Sequence, residues 1–170
     1  MTMDNEFVEL PEYIKKLIEA GEAIDEIRID EEGEWFHNGV KFENQRIINF
    51  FNRSICKTAD GGYALHYDNF TYPLVVEDAP FFVTGVRFDG FGDFENVYIT
   101  LKSGIEEKLD IDSLYFRSNN CLYCRVQGGT MKAKFLRSPS FHILERLEET
   151  DDTYYLTLCG RKIVLMEKVE

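Results

Sequence analysis

No apolar run in this sequence approaches the roughly 18–20 residues that a membrane-crossing helix needs, so a membrane span is not expected. Bases are also short: 19 Lys and Arg stand against 31 Asp and Glu, a net charge of −12. Phosphate backbones are bound by neutralising them with Lys and Arg, so nucleic acid is not an expected partner, and neither is an anionic membrane surface. The N-terminus, Met1 to Glu9, carries acids where a secretory leader would carry Lys or Arg before an apolar stretch, which points to the cytoplasm. What basic character there is gathers in the second half, at Arg125, Lys132, Lys134, Arg137, Arg161 and Lys162, and reads as a mixed, solvated surface.

Cysteine is scarce as well. Cys56, Cys121, Cys124 and Cys159 are too few and too irregularly spaced for a disulfide framework. Cys121-Leu-Tyr-Cys124 has C-x-x-C spacing but lies in a strand-like run, which points the two sulfurs to opposite faces. No second ligand pair exists, and His37, His66 and His142 are scattered, so no metal and no cofactor is expected. The glycines of Asp89–Asn96 are followed by neither Lys-Ser/Thr nor a helix, and no nucleophile-elbow, zinc-protease or dinucleotide signature is present.

What the sequence does contain is short strands, tight turns and three helical patterns. Leu10, Tyr13, Ile14, Leu17 and Ile18 recur at helical spacing between Pro11 and Gly21, which predicts an N-terminal helix within residues 1–22. Asn38-Gly39 is the strongest two-residue hairpin signal available, because both central residues of that turn need positive φ. Ile47, Ile48, Phe50, Phe51 and Ile55 put an apolar face on a helix from about Asn44 to Ser54. Strands are expected around Tyr63–Tyr67, Phe70–Val76, Phe81–Phe88 and Val97–Leu101. Ser138-Pro139 reads as a cap and first-turn proline opening a helix with Phe141, Leu144 and Leu147 on one face.

Set side by side, Trp35-Phe36 matches Leu122-Tyr123, Asn38-Gly39 matches Gly128-Gly129, and Phe50-Phe51 matches Phe141–Leu144. The expected fold class is therefore α+β: two tandem strand–strand–helix–strand–strand repeats with antiparallel sheets, preceded by the N-terminal helix. The first repeat covers residues 23–80. A β-rich connection and the second repeat cover 81–170.

The segments Ile27-x-Ile29-Asp30-x-x-Gly33-x-Trp35-x-His37-x-Gly39, Asp60-Gly61-x-Tyr63-x-Leu65 and Val76-Glu-Asp-Ala-Pro-Phe81 resemble a bacterial family known as domain of unknown function 1285. Arg137-Ser-Pro139-x-Phe141-x-x-Leu144 extends the resemblance through the second half, with departures at Arg46–Phe51 and Leu101-Lys102. The resemblance implies a two-repeat α+β architecture and a role in signalling or ligand sensing. It supplies no catalytic residues.

Five residues are singled out as ligand-binding candidates: Trp35, His37, Glu77, Asp78 and Phe81. Trp35 is the single tryptophan, and it reads as core or as a stacking surface in a pocket. Glu77 and Asp78 precede Ala79-Pro80, a rigid connector between the repeats, and a ligand is expected in the groove where the repeats meet. The favoured function is a non-enzymatic cytosolic binding or regulatory module whose partner is a small molecule or a protein. One alternative is a small enzyme using His37 with Glu77 or Asp78 as acid–base groups. The other is a homo-oligomeric structural protein, which would need a well-packed symmetric patch of about 1,000 Å².

Overall fold

The computed structural model describes residues 26–67 and 70–170, so the helix expected over residues 1–22 and the turn at Asp68-Asn69 lie outside the described residues. The chain divides into two compact units, one ending at Pro80 and one running from Phe81 to Glu170.

The first unit contains β1 (Ile27–Ile29), β2 (Trp35–His37), β3 (Val40–Lys41), α1 (Gln45–Ser54), β4 (Ile55–Lys57), β5 (Tyr63–Tyr67) and β6 (Phe70–Val76). The turn into β2 is built by Asp30, whose carboxylate accepts the amides of Glu32 and Glu34 at 2.9 and 2.8 Å. The hairpin into β3 places Asn38 at φ 48° and Gly39 at φ 80°, as a tight two-residue connection with right-handed twist requires. Asn44 caps α1 by accepting the amides of Arg46 and Ile47. That helix buries Ile47, Ile48, Phe50 and Phe51. The Phe51 ring lies 5.2 Å from the Trp35 indole, which joins helix to sheet. Burying side chains of this size contributes roughly 1.5–3 kcal/mol each.

The sheet of this unit runs β3-β2-β1-β6-β5-β4. At its centre β1 pairs antiparallel with β2 and parallel with β6, so Ile27 sits between His37 and Leu74, and Ile29 between Trp35 and Val76.

The second unit contains β7 (Phe81–Asp89), β8 (Asn96–Leu101), β9 (Glu106–Lys108), β10 (Tyr115–Phe116), β11 (Leu122–Val126), β12 (Met131–Phe135), α2 (Arg137–Leu144), β13 (Leu147–Thr150), β14 (Thr153–Leu158), β15 (Arg161–Val164) and β16 (Met166–Glu167). Strict alternation in β8 buries Val97, Ile99 and Leu101 while the residues between them stay half-buried, the period of a strand with one covered face. The main sheet runs β16-β10-β11-β12-β7-β8-β9, and β13-β14-β15 form a separate three-stranded sheet.

The expected α+β repeat layout is overturned. The described residues are mostly β, with two α-helices among them, and both large sheets are mixed, with parallel pairs at β1–β6, β7–β12 and β10–β16. Nor do the helices hold equivalent places: α1 precedes the strands β4–β6, whereas α2 follows β10–β12. Matching Asn38-Gly39 to Gly128-Gly129 equates the β2–β3 turn with the β11–β12 turn, and these occupy different positions in their sheets. Hairpins and helix faces are local features, but a parallel pair joins strands distant in sequence and leaves no local mark. A smaller correction falls on α2. It begins at Arg137 with Leu136 at the cap position, so Ser138 and Pro139 sit inside the first turn and Ser138 does not cap it.

Candidate functional site

Four of the five residues expected to bind a ligand belong to the first unit, and they do not form one site. Trp35 is fully buried, and its indole N–H donates to Asn52 Oδ1 at 2.9 Å. Asn52 is itself buried on α1, and among the described residues its Nδ2 finds no partner. Trp35 is therefore a core residue rather than an exposed stacking surface. His37 ends β2 opposite Ile27 and stacks on Phe42, with ring centroids 6.0 Å apart. Glu77 lies past the other end of β1: its amide donates to the Ile29 carbonyl, and its carboxylate accepts from Arg28 at 3.2 Å. Asp78 follows, half-buried, before the buried Ala79 and Pro80. His37 and the two carboxylates thus sit toward opposite ends of β1, which does not favour an acid–base pair. Phe81 starts β7 in the second unit, buried and opposite Ala133 of β12.

The most organised polar cluster lies in the second unit, on β10, β11 and β12. The cross-strand partners Tyr115 and Tyr123 are both fully buried, and their rings stack 5.3 Å apart at 15°. Register places Tyr123 opposite Lys134 and Arg125 opposite Lys132, so tyrosines and cations share one face of these strands. The β10–β11 turn holds the ring pair from the side. Asn119 accepts the Cys121 amide with its Oδ1 and donates from its Nδ2 to the Tyr123 hydroxyl at 2.8 Å.

A carboxylate already occupies this cluster. Glu170 Oε1 accepts the Tyr115 hydroxyl at 2.7 Å, and Oε2 accepts Lys132 Nζ at 2.8 Å, with Arg117 Nε 3.8 Å away. The Lys132 ammonium also faces the Tyr123 ring at 5.7 Å, and Lys168 faces the Tyr115 ring at 4.6 Å. Partial burial pushes the Glu170 carboxyl up, but hydrogen bonds from Lys132 and Tyr115, with the nearby charges of Lys132 and Arg117, outweigh it and hold the group below its ordinary range. Burial and the adjacent Glu170 carboxylate push the Tyr115 phenol up, so it is a hydroxyl donor at neutral pH. The arrangement can hold a carboxylate in two-point contact on an aromatic floor. It offers no activated nucleophile.

Two recesses of the second unit are less organised for chemistry. One, of about 280 Å³, is largely apolar, with Phe116, Leu144, Tyr154 and Leu165 in its walls. The other, of about 310 Å³, is rich in carboxylates, but Asp112 is bound by Arg161 and Glu95 by Arg146. Glu95 is 8% exposed. It takes both guanidinium nitrogens of Arg146 and the Cys159 amide, while Arg146 packs 4.1 Å over the Phe88 ring. Among the described residues no group of His, Cys, Asp or Glu is placed to hold a metal ion. Cys124 is buried in β11, and burial pushes its thiol up, away from thiolate chemistry. Among the described residues no helix is long and apolar enough to cross a membrane.

Sequence reasoning passed over Tyr115, Arg117, Tyr123 and Glu170. The available signal was the enrichment of Lys and Arg in the second half, which included Lys132 but gave no sign that a carboxylate faced it.

No family model and no curated protein matches the sequence. Two solved structures do match the fold. A DUF1285 family protein from Silicibacter pomeroyi DSS-3 is 20% identical, with a TM-score of 0.68 over 83% of this chain and 79% of that one. A DUF1285 family protein from Shewanella baltica OS155 is 18% identical, with a TM-score of 0.55 over 70% of this chain and 90% of that one. The chain thus shares the fold of DUF1285 family proteins, the family its sequence segments resemble, and these neighbours are themselves uncharacterised.

Proposed function

We propose that this protein is a non-catalytic cytoplasmic binding module of the DUF1285 kind, and that its ligand carries a carboxylate held by Tyr115, Arg117 and Lys132. One observation carries this reading: the Glu170 carboxylate is bound between the buried Tyr115 hydroxyl and Lys132, beside Arg117, on a stacked tyrosine pair. Charge-assisted hydrogen bonds of this kind are roughly twice as strong as neutral ones. The two fixed donors select for a planar group with two acceptor oxygens. A net charge of −12 would repel anionic ligands on average, so a cationic pocket within it is a specific device rather than a consequence of composition.

The experiment is a thermal-shift titration of the full chain carrying Glu170→Ala with glutarate and related mono- and dicarboxylates. Vacating the seat should let an added carboxylate raise the melting temperature, and further Lys132→Gln should abolish that rise. A Glu170→Ala chain that no carboxylate stabilises would sink the reading.

A further inference from the structure

The bound carboxylate belongs to a peptide, and the way that peptide is held narrows the ligand class. We infer that the β10 edge, together with the cradle of Tyr115, Arg117 and Lys132 that holds the Glu170 carboxylate, is a docking surface for an extended acidic segment of a partner protein, which displaces residues 166–170 of this chain. The inference rests on the carboxylate-binding reading above and adds the backbone that carries the carboxylate.

Few contacts anchor the present occupant. Leu165 is buried, but Met166 to Val169 are exposed, Met166 at 63% and Val169 at 96%, and the Glu170 side chain turns inward, at 30% exposure. The segment is held by the two-residue parallel pairing of Tyr115 with Met166 and Phe116 with Glu167, by the Lys168 amide donating to the Phe116 carbonyl at 2.8 Å, by the Lys168 ammonium over the Tyr115 ring, and by the Glu170 carboxylate. β16 is the outermost strand of its sheet, so lifting it exposes the backbone donors and acceptors of β10. A sheet edge of that kind is satisfied by any extended chain that pairs with it, and side-chain pockets then decide which chain is accepted.

Here the deciding pocket is cationic. A segment that lies along β10 in the same register and places Glu or Asp three residues after the one opposite Phe116 meets the donors that Glu170 meets now. A small carboxylate could fill the pocket but would leave the β10 edge unpaired. A tethered segment competes with free ligands at high effective concentration, so the chain's own residues act as a latch that a partner must displace.

The test uses the full chain and a fluorescein-labelled peptide, Met-Glu-Lys-Val-Glu with an amidated end, followed by fluorescence anisotropy. The peptide should bind the Glu170→Ala chain about tenfold more tightly than the wild type, the difference expected from losing one charge-assisted contact in the latch. A peptide ending in Gln should lose that affinity, and so should the Glu170→Ala chain with added Lys132→Gln. In the Glu170→Ala chain the Lys168 amide should exchange its hydrogen faster, as the latch lifts. If glutarate stabilises the Glu170→Ala chain but the peptide does not bind, the docking surface is wrong and the carboxylate site stands. If neither binds, both fail. A wild-type dimer that Lys132→Gln converts to monomer would assign the edge to a second copy of the chain and overturn the proposal.

Discussion

The two units share a strand order and differ in what they add to it. In each, two runs of three strands follow one another in the chain, and the last strand of the second run pairs parallel with the first strand of the first: β6 with β1, and β12 with β7. Between the runs the first unit inserts α1, whose apolar face reaches Trp35. In the second unit the same place holds a single 3-10 turn, Ile111–Ser113, and the extra mass comes later, as α2 and the small sheet β13-β14-β15. The polar chemistry follows this difference. Arg28, Glu26 and Glu77 of the first unit form ion pairs about a third exposed, whereas Glu95 is buried against Arg146, and Glu170 meets a fully buried tyrosine. Among the described residues of the first unit, α1 covers the sheet and the ion pairs of Arg28 and Lys41 stay near the surface. The second unit keeps exposed pairs too, Arg87–Glu106 and Arg161–Asp112, and adds to them the partly buried contacts of Glu95 and Glu170.

Four measurements would break or sharpen this contrast. The largest effect belongs to the helix-closed core: Trp35→Ala should cost about 3–5 kcal/mol in denaturant titration, through lost burial and the cavity left between β2 and α1. An unchanged midpoint would mean that α1 does not close this unit.

Next come the turns. Gly160 has φ 71°, and a Cβ there would collide with the Asp93 side chain and come within 2.7–2.8 Å of its backbone. Gly160→Ala should therefore cost about 2–4 kcal/mol, overpacking added to left-handed strain. Gly39→Ala, with positive φ but nothing within 4 Å of the added atom, should cost only about 1 kcal/mol. Equal losses would show that the Cys159-Gly160 turn is not packed against the loop before β8.

The third measurement compares the ion pairs. Glu95→Gln should cost about 1.5–3 kcal/mol, because it weakens charge-assisted bonds to Arg146 and to the Cys159 amide in a buried place. Glu77→Gln should leave the melting temperature unchanged, since exposed pairs contribute little. A larger loss at Glu77 would reverse the contrast between the units.

The smallest effect is in pH. Hydrogen bonds from Arg146, opposed by burial and helped by the Cys159 amide, hold the Glu95 carboxyl below its ordinary value of 4.5. A carboxyl lowered by folding adds stability that is complete above its unfolded value and is lost as pH falls through the folded one. The gap in melting temperature between wild type and Glu95→Gln should thus be full at neutral pH and narrow as pH drops below about 4.5. A gap that stays constant into acid would mean that Glu95 contributes through shape rather than charge.

Much of the local structure was legible from the residues. The Asn38-Gly39 turn and the apolar face of α1 rest on chemistry confined to a few neighbouring positions, and so do the Asp30 side-chain bonds and the Asn44 cap that the structure adds to them. Of the candidate site almost nothing was legible. Trp35, His37, Glu77 and Asp78 drew notice because they are rare or adjacent residue types, and the structure gives them separate surroundings in the first unit. Tyr115, Arg117, Lys132 and Glu170 are unremarkable in sequence, and a pattern read along the chain has no reason to bring Lys132 to Glu170.

By itself, then, the sequence determined where the backbone turns, which short segments are strands, and that the surface is acidic with a more basic second half. A residue's φ preference, its hydrogen-bonding reach to the next few amides and its side-chain polarity act over one or two turns of chain, and each leaves a local mark. Tertiary structure alone decided which strands pair in parallel, where along the strand order each described helix packs, and which cations surround a carboxylate. The β1–β6, β7–β12 and β10–β16 pairs join segments far apart in the chain, and their register is set by the burial of whole faces rather than by any turn. The cradle is a consequence of that pairing: β16 lies beside β10, and this carries Glu170 to Tyr115 and Lys132.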